Sequence, residues 1–283
     1  MKMKNFGERI PQSLFFIIAL SALTVLALIT IFIFVQGVPL IVKVGFFKFI
    51  FGMKWAPSQG FYGIFPMIVG TISVTLGAII LGVPVALCCA IFLAEFAPRW
   101  LSDIVRPAIQ LLAGIPSVVY GFWGLIFIVP LIRNYLGGPG LSILAGSIIL
   151  AIMILPTVIS ISEVSLLALS PLLKEGAFAL GATQWQTIRS VLVPAAKSGI
   201  LASIILGVGR AVGETMAVIM VLGNSVALPN SILSPVRTLT TNIGIEMGYA
   251  SGEHQQALFA TGIVLLVIIM ILNSLAQYSI RRK

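Results

Sequence analysis

Six apolar stretches, at about residues 13–35, 63–94, 104–132, 141–163, 199–222 and 257–280, dominate the chain. Each is near the roughly 20 helical residues needed to cross a bilayer core. In hydrocarbon, every backbone N–H and C=O must be paired within its own segment or within a closed sheet. Uninterrupted apolar stretches of this length therefore fold as helices. The expected fold class is all-α and integral to the membrane, with six transmembrane helices. Only 9% of the 283 residues are charged, against about 25% in a soluble domain. That is too few to coat a water-facing surface, so lipid is the solvent for most of the chain.

The first stretch follows Lys2, Lys4 and Arg9 and runs from about Leu14 to Val35. A signal peptide has a shorter apolar core and a small-residue cleavage site, so this stretch is read as an uncleaved first helix. The placement of Lys and Arg sets orientation. With the N-terminus in the cytoplasm, the inside segments carry Lys2, Lys4, Arg9, Arg99, Arg106, Lys174, Arg189, Lys197, Arg281, Arg282 and Lys283. The outside segments carry only Lys43, Lys48, Lys54, Arg133 and Arg237. Both termini are expected in the cytoplasm of a cell bounded by an inner membrane. The net charge of +9 lies between apolar runs, a pattern of membrane topology and anionic lipid rather than of nucleic-acid binding.

Cys88 and Cys89 are adjacent, a poor geometry for a disulfide, and are read as small buried apolar residues. His254 is the only histidine, so a His-based metal cluster or triad within the chain is not expected. Glu246 and Glu253 are read as solvated loop charges.

Two connections are long. Residues 36–62, outside, interleave Lys43, Lys48 and Lys54 with Phe46, Phe47, Phe49, Phe51 and Trp55. Alternating cations and aromatics suit a segment lying on the membrane surface, with contact to an external partner as the other reading. The chain is thus divided into residues 1–62, a first helix with an external amphipathic loop, and residues 63–283, a transmembrane domain with an inside loop at 164–198.

That inside loop reads as a helical hairpin too short to span. Pro171 suits a first helical turn, Glu175 favours the positive helix end, and Gly181 is the expected stop. A second short helix is expected from about Thr183 to Val191, ending before Pro194. Such a unit is either a connector on the bundle or a docking element for a soluble partner.

The fifth stretch carries Arg210, about eleven residues from either end and so roughly 16 Å deep. Glu214 is four residues on, expected one turn away on the same helix face. A charge at a span's centre costs roughly 2.5–3.5 kcal/mol on insertion scales, which makes it a functional-site candidate by default. The Arg210 guanidinium offers a planar fork of donors suited to oxyanions. Gly207, Gly209 and Gly213 allow close approach of a helix or a substrate. A carboxylate repels an anion unless the anion brings its own proton, as hydrogen phosphate does and sulfate does not. Glu214 is therefore expected either to accept that O–H or to pair with Arg210 when substrate is absent. In the third stretch, Gly114-Ile115-Pro116 is expected to bend the helix, since Pro removes a backbone bond. Ser117 and Tyr120 then either face a cavity or hydrogen-bond between helices. Thr157 and Ser160 in the fourth stretch are weaker candidates of the same kind.

Two sets of motifs carry a resemblance. Glu175-Gly176-Ala177, three residues, Gly181, nine residues and Val191-Leu192-Val193-Pro194 reproduce the spacing of the E-A-A…G…I-x-L-P loop of ATP-binding-cassette importer permeases. Gly176 replaces the first alanine, at about 1 kcal/mol of helix propensity. G-R-A-V-G-E-T-M-A-V (Gly209 to Val218) and G-I-P-S-V-V-Y-G (Gly114 to Gly121) resemble the phosphate-specific transport permeases, in the C-type (PstC) branch rather than the A-type. The resemblance implies a MetI-like core and a coupling element containing Glu175, Gly176, Ala177, Gly181 and Pro194. It also implies a pairing with a second, PstA-type permease, two PstB-type ATPase subunits and an external phosphate-binding protein. No G-x-x-x-x-G-K-[ST] loop occurs in the chain, so no catalytic site or cofactor is expected here and ATP-Mg would sit on the partner ATPases. The alternatives are a sulfate or molybdate importer of the same build, an ion-coupled anion transporter acting alone, and a receptor-like scaffold.

Overall fold

The computed structural model of the protein describes residues 4–281. Of the cations used for orientation, Lys2, Arg282 and Lys283 lie outside the described residues. The chain begins with α1 (Lys4–Val44) and a short α2 (Phe46–Phe51). A two-stranded antiparallel hairpin follows, β1 (Trp55–Ala56) and β2 (Phe61–Tyr62), with Trp55 opposite Tyr62 and Ala56 opposite Phe61. Next come α3 (Phe65–Glu95), α4 (Arg99–Gly114) and α5 (Ser117–Trp123), which runs through a π-turn at 124–128 into α6 (Val129–Tyr135). After α7 (Ile143–Leu167) the hairpin contains α8 (Pro171–Ala179), α9 (Gln184–Thr187), a π-turn at 188–192 and α10 (Val193–Ala195). The chain closes with α11 (Lys197–Gly213), α12 (Met216–Val221), α13 (Leu239–Glu246) and α14 (Glu253–Arg281).

Five of these helices or helix runs are long and apolar enough to cross a membrane, and a sixth crossing comes from the pair Gln184–Ala195 and Lys197–Gly213, bent by 69°. The core is the seam between α3 and α7, with α11 on α7 and α1 on α14. The central cluster gathers Val74 and Ala78 of α3, Ile149, Met153 and Ile154 of α7, Tyr120 of α5 and Ala217, Val218 and Val221 of α12. In contrast, the most apolar window of α1 has no buried residue. Where α1 does not pack on α14, its apolar side chains are bare and face lipid. Cys88 on α3 is also exposed, which corrects its expected burial: it lies on the lipid side, where a thiol is as apolar a neighbour as the core would supply.

The two ends of the bundle differ. One carries α2, the β-hairpin and the 223–252 segment, with Lys43 of α1 paired to Glu253 of α14. The other carries α8 to α10. There Lys174 of α8 reaches Glu95 at the end of α3, 2.6 Å away, and the Gln184 side chain donates to the Glu95 carbonyl at 3.2 Å.

The hairpin follows the sequence closely. Pro171 opens α8, and Gly181 stops it with φ at +81°, a left-handed backbone that glycine adopts without strain. Thr183 and Gln186 then form a reciprocal capping box for α9. The second helix does not end before Pro194, however. A π-turn at 188–192 shifts the hydrogen bonding just ahead of the proline, and helix continues through it to Ala195.

Candidate functional site

Two helix runs, α4–α5 and α11–α12, are interrupted, and the interruptions lie at one level of the bundle. α4 stops at Gly114, Ile115 is extended, and α5 restarts after Pro116, which has no N–H to continue the ladder. α11 stops at Gly213, Glu214 is extended (φ −69°, ψ 132°), and α12 restarts at Met216. Arg106 of α4 contacts Glu163 in the later part of α7, while Gly124, just past α5, packs on Ile149 in its earlier part. Gly207 of α11 packs on Val158, and Val221 of α12 lies against Gly124. Both breaks therefore lie beside the middle of α7. They are held together by contact of α5 with α12: a methyl group on Gly121 would come within 2.8 Å of the Ala217 Cα, so only glycine permits this approach.

Arg210 sits in the last turn of α11, where the helix's negative end partly offsets its charge. It is half-buried. No ion pair to it is present among the described residues, and the Tyr120 phenol lies within its electrostatic range. A side chain built on Gly114, Gly209 or Gly213 would meet nothing within 4 Å. The surroundings of Arg210 are therefore open on several sides, whereas Gly207 serves packing.

The expected one-turn spacing of Arg210 and Glu214 is corrected. The helix has ended before Glu214, so the two side chains do not share a helix face, and no Arg210–Glu214 ion pair forms. Instead Glu214 Oε1 accepts the Ala217 N–H at 3.1 Å, capping α12, and the Glu214 carbonyl accepts the Thr240 hydroxyl at 2.9 Å. A negative charge at a helix N-terminus is favourable, and this role displaces the predicted pairing. Tyr120 is buried, and its hydroxyl donates to the Leu112 carbonyl at 2.8 Å. The same carbonyl accepts the Ile115 N–H at 3.3 Å, so the phenol adds a second bond where α4 ends. Ser117 is the first residue of α5, at the break itself. Ser160 lines a small cavity of about 140 Å³ with Arg106 and Glu163, a constellation the sequence did not single out.

On the hairpin, Glu175, Gly176, Gly181 and Pro194 are exposed and Ala177 is buried at 8% exposure. The tip is apolar and uncovered, with Leu180 91% and Leu172 73% exposed. Large aliphatic side chains left bare at a polar end of the bundle mark a contact surface.

The opposite end holds an ionic network. Glu246 Oε1 accepts from Arg237 at 2.5 Å, and Oε2 accepts from the Trp55 indole at 2.9 Å and meets His254 Nε2 at 2.7 Å. Arg237 also donates to the Asn242 side chain and the Asn224 carbonyl. Glu246 is buried, which corrects its expected place as a solvated loop charge; Glu253 is exposed as expected, but it opens α14 and is paired with Lys43. Their partners are distant in sequence, beyond the reach of any spacing rule.

Comparison with known proteins follows this geometry. Residues 82–283 match the family described as "Binding-protein-dependent transport system inner membrane component". A probable ABC transporter permease protein of Bacillus subtilis (strain 168), YqgH, is 45% identical over 264 residues, covering 90% of this chain and 85% of that protein. The phosphate transport system permease protein PstC of Haemophilus influenzae is 37% identical over 255 residues, covering 83% and 81%. Among solved structures, the MetNI methionine ABC transporter in an inward-facing conformation matches with a TM-score of 0.58 at 20% identity, covering 81% of this chain and 96% of that one. A likeness at that identity speaks for the fold.

Proposed function

The chain belongs to the family of binding-protein-dependent transport system inner membrane components, and from that premise we infer that it is the transmembrane permease subunit of an ATP-driven phosphate importer. It is a multi-pass protein of the inner membrane. The substrate reading rests on relatives that are themselves phosphate transport system permeases, and on Arg210. The observation that carries it is an arginine beside two interrupted helix runs, with no ion pair among the described residues and with open space beside it. A half-buried cation with a planar fork of donors is a site for an oxyanion. Interrupted helices at mid-depth are a common way to build such a site in transporters.

The roles follow from the geometry. Arg210 attracts the anion to the break. Glu214 keeps one oxygen on α12 and has Oε2 available for the O–H of hydrogen phosphate. Ser117 offers a hydroxyl at the mouth of α5, and Tyr120 holds the break in shape beside Arg210. A sulfate or molybdate importer of the same build would have no use for the Glu214 acceptor, which favours phosphate.

The hairpin is the coupling element in this reading. Its apolar tip at Leu172 and Leu180 enters a groove on a PstB-type ATPase, with Glu175, Gly176, Ala177, Gly181 and Pro194 shaping the contact. Lys174 to Glu95 passes its displacement to α3. ATP-Mg binds and is hydrolysed on that partner, not on this chain. A PstA-type permease supplies the other half of the pathway, and an external phosphate-binding protein delivers the substrate. In this reading the permease core runs over residues 63–283, with 1–62 as an added helix and surface segment.

The test is uptake of labelled phosphate by vesicles holding the assembled transporter and ATP, comparing wild type with Arg210→Gln at matched assembly. Uptake falls to background while ATPase docking persists. Unchanged uptake would remove Arg210 from the pathway.

A further inference from the structure

A cavity of about 670 Å³ opens beside the β-hairpin, walled in part by Lys43, Lys48, Lys54, Phe61, Tyr62 and Glu253. Three ammonium groups against one carboxylate leave its walls positive. Lys43 is paired with Glu253 Oε1, and the Tyr62 hydroxyl donates to Oε2 at 3.5 Å. Burial, and next the Glu253 charge, push the Tyr62 phenol above its ordinary range, so it stays an O–H donor. The Lys54 ammonium lies 4.4 Å over the Phe61 ring and donates to the Gln59 amide oxygen at 2.8 Å. Both contacts orient it and neither neutralises it. The Lys48 ammonium makes no hydrogen bond or ion pair among the described residues. Two cations thus face the cavity without a counter-charge.

The rim is apolar. Phe46, Phe47 and Phe51 of α2 are exposed, Phe47 at 74%, and the Phe47 and Phe51 rings stack at 6.3 Å. Met53 and Val42 beside them are exposed as well. A free anion would use the lysines and ignore this rim, whereas an amphipathic anion uses both. Lysines that reach the headgroup level and aromatics that sit at the interface are the usual elements of lipid contact.

We propose that this cavity binds the phosphoryl headgroup of an anionic phospholipid, with Lys48 and Lys54 on the phosphate and the acyl chains lying along the exposed phenylalanines of α2. The site needs only the chain's place in a membrane, so it stands or falls separately from the substrate reading of Arg210.

The experiment is native mass spectrometry of the full chain released from nanodiscs of phosphatidylglycerol mixed with phosphatidylcholine. Wild type retains one phosphatidylglycerol in preference to phosphatidylcholine. The double variant K48A/K54A loses it, with affinity lowered about twentyfold, roughly four- to fivefold for each lysine at the surface. K48R/K54R keeps it, which shows that charge and not folding is read. Millimolar inorganic phosphate leaves the lipid bound. Equal retention by K48A/K54A, equal retention of phosphatidylcholine, or displacement of the lipid by inorganic phosphate would each overturn the proposal, the last by assigning the cavity to a free anion.

Discussion

The Tyr120 hydroxyl is bonded to the Leu112 carbonyl at 2.8 Å, across the gap where one helix stops and the next begins. The phenol returns to the helix the chain has just left and adds a second donor to a carbonyl that already accepts the Ile115 N–H at 3.3 Å. Tyr120→Phe keeps the ring and removes only this bond. Its expected cost is about 1 kcal/mol or less, because the Leu112 carbonyl keeps the Ile115 N–H. Thermal unfolding of the purified chain checks this. Phosphate uptake at saturation falls while the half-saturating concentration stays constant, as expected of a residue that shapes the break.

Glu214 separates two roles that one substitution alone would confuse. Glu214→Gln keeps an oxygen to accept the Ala217 N–H, so the thermal midpoint stays within a degree or two, but it removes the charge that would accept from hydrogen phosphate. Phosphate uptake falls at least tenfold, and sulfate begins to compete. Glu214→Ala also loses the cap, at about 1 kcal/mol, and lowers the midpoint as well. Competition uptake and thermal unfolding, run on both variants, distinguish the outcomes. If phosphate still excluded sulfate in Glu214→Gln, the acceptor role would be wrong.

The Lys174–Glu95 pair, at 2.6 Å with the carboxylate 9% exposed, joins the hairpin to α3. Lys174→Ala leaves the apolar tip intact, so ATPase subunits still bind and hydrolyse ATP, while phosphate moved per ATP drops severalfold. The charge-reversed double variant K174E/E95K restores part of the coupling. A loss of ATPase binding in K174A would instead make Lys174 part of the docking surface.

Glu246 is the shared acceptor of Arg237, Trp55 and His254, and both members of its arginine pair are largely buried. Glu246→Ala strands the Arg237 charge in a place that water reaches poorly. The expected loss is about 3–5 kcal/mol, read as a large fall in the thermal midpoint and in the yield of folded protein. Glu246→Gln, which keeps the hydrogen-bonding shape, costs less.

Much of the bundle is written in composition, because a run of some 25 apolar residues has few other places to go. α3, α7 and α14 follow this directly. The interruption at Pro116 was legible as well, since proline removes a donor whatever surrounds it. The one at Glu214 was not. Gly213-Glu214-Thr215 lies in a run with no proline, and the local pattern suits a helix until a carboxylate finds the Ala217 N–H. Arg210 was visible because charge in hydrocarbon is costly in any fold. Its actual setting, open and unpaired, depended on where the helix ended. The Arg237–Glu246–His254–Trp55 network was invisible for a different reason: its members meet only after α13, α14 and the β-hairpin have packed, and no local rule links residue 55 to residue 246.

The two interruptions at the middle of α7 also bear on electrical tightness. Several carbonyls at the ends of α4 and α11 lack helix partners, and among the described residues only those of Leu112, Gly213 and Glu214 are met by a side-chain hydroxyl, from Tyr120, Thr215 and Thr240. Hydrocarbon cannot satisfy such groups, so water has to stand at this level. A chain hydrated at half its depth holds back protons and small ions poorly by itself. In the pairing proposed above, the apolar surface of a second permease completes the insulating barrier, and the leak current across a bilayer should fall as that subunit is added.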